Sequence, residues 1–159
     1  MTDLRLLKMI TDLSHQFGTP DYVKGGGGNT SVKQGNTLWI KPSGTTLEGL
    51  QPAQFVAVDR TRLAALYTMP VPPDANLREA QVKDIMMASV CRGSRGRPSV
   101  ETPLHDVLTA TYVVHTHPMW VNGLTCSRDG AAVAARLFPD ALWLPYIDPG
   151  FTLSMEART

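Results

Sequence analysis

Cysteine is scarce in this chain of 159 residues: Cys91 and Cys126 are the only two, and they form no CxxC pair. A disulfide framework and a cysteine metal knuckle are therefore excluded, and a reducing cytoplasm is the expected compartment. Charge of one sign is lacking too. Only 18% of residues are charged and the formal net charge is +1, which provides no field for nucleic acid or a membrane surface. No apolar run approaches the roughly 20 residues of a membrane span, and no signal-peptide core opens the chain. The Asn29-Thr30-Ser31 match to a glycosylation sequon is accordingly read as accidental. Repeats, low-complexity tracts and a P-loop lysine are also missing. Small molecules or further copies of the chain are left as partners.

With 43% apolar residues, the chain is long enough to bury one sizeable core. Leu6, Ile10, Leu13 and Phe17 recur at helical spacing, with Thr2 or Asp3 as a cap and Gly18 and Pro20 as a stop. Gly25 to Gly28 lead into a hairpin of Asn29–Lys33 and Thr37–Ile40, turned at Gln34-Gly35-Asn36. A strand over Phe55–Asp59 and helices over 60–67, 77–90 and 102–110 follow. Between the last two helices, Arg92, Arg95 and Arg97 alternate with small residues in a basic, mobile loop that reads as a solvated turn, the alternative being a role in drawing an anionic ligand towards Ser99. A helix over 130–138, a strand over 141–144 and a helix from Thr152 complete the pattern. Met69-Pro70-Val71-Pro72-Pro73 is the strongest punctuation, but the flanking pieces are too small for separate cores, so one domain over 1–159 is expected.

Two imidazoles on one strand are the clearest chemical feature. In Val113-Val114-His115-Thr116-His117-Pro118 the side chains of 115 and 117 share a face, and Pro118 cannot continue a ladder. His-x-His at a strand end can chelate a cation; the alternative is one packed and one solvated histidine. Glu101 opens a helix, where a carboxylate either caps the first turn or serves as a base beside the histidines. His105, one turn on, reads as a buried, hydrogen-bonded residue. Gly25–Gly28, Ser43-Gly44 and Ser99 are three turns with free amides and hydroxyls that can converge on an anion.

Four stretches, Gly25–Lys33, Lys41-Pro42-Ser43-Gly44, Pro98–His105 and His115–Pro118, occur in this order, with Pro145-Tyr146-Ile147-Asp148-Pro149-Gly150 after them. Together they resemble the class II aldolase/adducin family. The resemblance implies an α/β fold, a three-layer α/β/α sandwich around a central, mainly antiparallel sheet. It implies a divalent metal, usually zinc, on His115 and His117, with Glu101 as the acid/base; His105, read from its helical position, stands behind them. A phosphate site of Gly28, Asn29, Ser43, Gly44 and Ser99 follows, as does a homo-oligomer, commonly a tetramer with sites between subunits. The expected activity is a metal-dependent lyase cleaving a ketose 1-phosphate into dihydroxyacetone phosphate and an aldehyde. An epimerase, a dehydratase or a non-catalytic adducin-like assembly module are the alternatives. Val100 stands where many members have a second serine. The family's third histidine ligand belongs to a segment beyond the late helix, which this chain does not reach, so an incomplete metal site and low activity are expected of the 159-residue form.

Overall fold

In the computed structural model, which describes residues 4–158, the hairpin forms as β1 (Asn29–Gln34) and β2 (Thr37–Ile40) around Gly35 and Asn36. β3 (Val56–Asp59) pairs with β2, and β4 (Tyr112–His115) pairs with β1, giving an antiparallel sheet in the order β3-β2-β1-β4. Paired residues in an antiparallel ladder share a face, so the register fixes two sets. One face carries Leu38, Ile40, Val56 and Val58, packed with Leu63, Leu66, Val82, Met86 and Phe151. The other carries Val32 and Trp39, packed with Leu7, Ile10, Leu50 and Phe55. Each fully buried aliphatic side chain contributes about 1.5–3 kcal/mol.

The second set belongs to α1 (Leu4–Phe17), whose apolar residues fall on one stripe as the spacing predicts. Its expected cap at Thr2 or Asp3 lies outside the described residues. Opposite α1 lie α2 (Arg60–Leu63), α3 (Ala75–Ala88), α4 (Thr102–Val107) and α7 (Phe151–Glu156). α5 (Met119–Thr125) and α6 (Gly130–Leu137) pack on each other near the end of β4. Helices thus cover both faces of the sheet, the three-layer arrangement expected. Asp59 and Asp74 cap α2 and α3 by accepting backbone N–H bonds, which places both helix starts.

Several expectations are corrected. Residues 141–144 form no strand, because an apolar run is a strand only where a ladder partner lies beside it, and none does among the described residues. Leu142 is 81% exposed there. α2 tightens into a 3-10 turn over Ala64–Tyr67 instead of continuing as one helix. α4 stops at Val107, not 110, and α5 was not expected at all: Pro118 stands at its cap position, past the end of β4. The arginine turn is less free than its composition suggests. Ser94 Oγ accepts from Ala57 N at 2.9 Å, Arg97 O accepts from Ser43 N at 2.9 Å, and Pro98 bridges Pro42. No helix among the described residues is long and apolar enough to cross a membrane.

Candidate functional site

Alternate residues of β1 hold α4 against the sheet. Asn29, Ser31 and Lys33 face the same way, and each meets the helix or its first residue. The Asn29 amide donates to Glu101 Oε2, Ser31 Oγ lies 2.7 Å from His105 Nδ1, and Lys33 Nζ donates to His105 O at 2.6 Å. Asp106, on the same helix, takes the Arg60 guanidinium and the Tyr67 hydroxyl, the latter at 2.8 Å. Burial holds Lys33 down to about 8, with nearby Arg60 adding to the effect and Asp106 opposing it. A helix of six residues could not be stable alone; these polar ties and its contact with α7 place it.

His105 is fully buried, and its Nε2 finds no partner among the described residues. Burial pushes its imidazole down to about 3; His115 and Lys33 push the same way and Glu101 opposes. It is the packed, neutral histidine that its helical position predicts.

Glu101 occupies the cap position of α4 but makes no capping bond. Its Oε2 instead lies 3.0 Å from His115 Nδ1. Burial raises the carboxyl, but the His115 hydrogen bond, the charges of His115 and His105 and the Asn29 amide outweigh it and leave the group below its usual range. His115 pairs with Asn29 at the last register position of β4. The strand ends there, two residues earlier than expected, because beyond Asn29 the glycine loop turns away. Gly28 has φ +73°, and a Cβ on it would meet His115 O at 2.8 Å. His117 is nevertheless fixed, its N–H donating to Tyr22 O at 2.8 Å.

The two Nε2 atoms of His115 and His117 are 3.0 Å apart, with ring centroids separated by 4.6 Å. Burial lowers His117, as does the neighbouring His115, against the pull of Glu101. Ligand atoms of Glu101, His115 and His117 all fall within 4.8 Å of one another. Nitrogens at this separation can both reach a cation about 2.1 Å from each, while a carboxylate on Nδ1 orients the ring, so the donor set fits a divalent metal.

Beside the imidazoles opens a cleft of about 220 Å³ whose lining includes Gly28, Asn29, Ser43, Gly44, Ser99, Glu101 and His117. The three turns singled out in the sequence meet in this one place. Lys41, which sequence reasoning missed, also lines it. The lysine is buried, and its Nζ donates to Thr45 O at 2.7 Å and Gly26 O at 3.3 Å. Burial lowers its amine, partly offset by Glu101. Its position directly before Pro42-Ser43-Gly44 was the available signal, but a lysine that folds inward to carbonyls looks no different in sequence from a solvated one.

The class II aldolase and adducin N-terminal domain model matches residues 8–154. YuxG of Bacillus subtilis, described as an uncharacterized oxidoreductase, is 30% identical over 139 residues, which is 81% of this chain and 19% of that protein. Methylthioribulose-1-phosphate dehydratase of Bos taurus is 33% identical over 146 residues, covering 88% of this chain and 57% of the dehydratase. The chain therefore spans only part of either relative. Among solved structures, the N-terminal class II aldolase domain of a conserved protein from Thermoplasma acidophilum superposes with a TM-score of 0.81 at 30% identity, covering 94% of this chain and 72% of that one.

Proposed function

Because the chain belongs to the class II aldolase and adducin family, we propose that its cleft acts on a ketose 1-phosphate as a metal-assisted lyase. The observation that carries this reading is the place of Glu101. Its carboxylate stands between turns rich in N–H and O–H donors and a pair of imidazoles whose Nε2 atoms face each other. His115 and His117 would hold a divalent cation, with zinc the first choice, and that cation supplies polarisation of the substrate carbonyl and stabilisation of negative oxygen.

The chain's own residues do the rest. Gly28, Asn29, Ser43, Gly44 and Ser99 bind the phosphate and so place C3 of the sugar beside Glu101. In retro-aldol cleavage the C4 hydroxyl proton passes, directly or through water, to the ionised Glu101 carboxylate, the C3–C4 bond breaks with its electron pair remaining on C3, and the aldehyde leaves. Glu101 then delivers a proton to C3 and dihydroxyacetone phosphate is formed. In dehydration Glu101 works in the opposite sense, taking the C3 proton while the C4 hydroxyl leaves as water. The 33% identity to a protein named as a dehydratase favours this second branch. Assembly into a homo-oligomer, expected from the resemblance, would cover Met119, Trp120, Leu142 and Tyr146, all strongly exposed here.

Incubation of the zinc-loaded protein with a panel of ketose 1-phosphates, methylthioribulose 1-phosphate among them, tests the proposal. Dihydroxyacetone phosphate with an aldehyde marks the cleavage branch, and a diketone phosphate marks dehydration. Neither product from any member of the panel, with metal bound and a third histidine ligand supplied by extension through the family's later segment, would overturn the lyase reading in favour of an epimerase or a non-catalytic module.

A further inference from the structure

We infer that Arg97 is a phosphate-binding residue of this cleft, pairing its guanidinium with the anion beside Ser43. The inference rests on the phosphate reading of the same cleft and adds to it a residue outside the three turns that suggested it.

A phosphate monoester brings about −1.5 to −2 into a site that already holds an ionised Glu101. Backbone amides and hydroxyls of the glycine and serine turns supply dipoles but no net positive charge. Lys41 is the cation within the lining, yet two of its three donors are directed to Thr45 O and Gly26 O. Its charge is turned toward the protein and only partly available to a ligand. The divalent cation proposed on His115 and His117 would offset Glu101, and a cation beside Ser43 would then meet the phosphate itself.

Arg97 is placed to supply it. The Arg97 carbonyl accepts from Ser43 N at 2.9 Å, and Pro98 bridges Pro42, so the arginine backbone is fastened to the turn that lines the cleft. From there Arg97 Nη2 donates to Ser43 Oγ at 2.9 Å. That bond uses one of five guanidinium N–H groups. It also leaves the Ser43 hydroxyl, now accepting from a cation, with its own O–H to donate to an anion, which strengthens that donor. Arg97 lines the neighbouring groove that shares Ser43 with this cleft, and a guanidinium bonded to that hydroxyl matches two oxygens of a phosphate better than an ammonium would. The side chain is exposed, so it is not held as a packing element of the core.

Isothermal titration of the intact protein with inorganic phosphate, at low and at about 0.15 M ionic strength, tests the assignment. Arg97→Met should weaken phosphate binding about tenfold or more without moving the melting temperature, and should flatten the salt dependence. Arg97→Lys should recover part of the loss. Phosphate binding to Arg97→Met within about twofold of the wild type would overturn the role of Arg97 while leaving the phosphate reading intact. A loss with unchanged salt dependence would show that Arg97 only tethers Ser43 and would likewise overturn the pairing. No phosphate binding by the wild type would remove the reading beneath and this inference with it.

Discussion

Glu101 Oε2 and His115 Nδ1 are 3.0 Å apart, and this contact decides what the rest of the site can do. A carboxylate accepts a proton-bearing nitrogen, so the bond assigns hydrogen to Nδ1 and leaves the Nε2 lone pair of His115 facing His117. The Asn29 amide donates to the same carboxylate oxygen and keeps it from swinging back to cap α4. One residue thereby orients an imidazole of the proposed metal pair and faces the cleft, where the proposed reaction would use it as the proton carrier.

Metal affinity follows from that geometry. Zinc or cobalt titration should show binding that His115→Ala or His117→Ala each weakens by well over tenfold, since either change leaves one imidazole at the site. Glu101→Gln keeps an acceptor for Nδ1–H and should cost about tenfold. Equal affinity in the wild type and in both alanine variants would place the metal elsewhere.

Gly28 should tolerate no side chain. Alanine there must adopt φ +73° and bring Cβ to 2.7 Å from a Val23 methyl and 2.8 Å from His115 O. A loss of about 2 kcal/mol is expected, read as a lower urea midpoint. Gly44→Ala also has φ +83° but meets no atom within 4 Å, so its loss should be smaller. Equal losses at the two positions would show that close approach to His115 contributes nothing.

Stability should depend on pH through His105. Its folded pKa of about 3 lies below the free value near 6.5, so between these values the unfolded chain binds the extra proton. The contribution is complete above about pH 6.5 and is lost as pH falls toward 3. At pH 5 the cost relative to pH 7.5 is about 2 kcal/mol. Chemical denaturation at both pH values should show the wild type losing more than His105→Asn, which cannot titrate. Parallel losses in the two proteins would contradict the neutral, buried assignment.

The layers of the fold were legible because periodicity is local. The α1 stripe of Leu6, Ile10 and Leu13 and the turn at Gly35 and Asn36 each declare themselves within a few residues. The meeting of Glu101, His115 and His117 was legible for another reason: their motifs stand in a characteristic order, and the proposed chemistry would need those side chains. What escaped depended on partners distant in sequence. The run 141–144 has strand composition but no neighbour to pair with. Lys41 turns inward only because Thr45 O and Gly26 O await it. Arg97 reads as one arginine of three in a solvated turn until its backbone is found bonded to Ser43.

On the proposed mechanism Glu101 exchanges a proton with the carbon beside a phosphorylated ketone. Proton NMR of dihydroxyacetone phosphate in D2O with the protein at saturating zinc reads that exchange directly, without knowledge of the full sugar substrate. One C3 hydrogen should be replaced by deuterium above the buffer rate, chelator should stop it, and Glu101→Gln should slow it about 100-fold or more while zinc stays bound. Exchange at the wild-type rate in Glu101→Gln, or none in a zinc-saturated wild type, would contradict the claim.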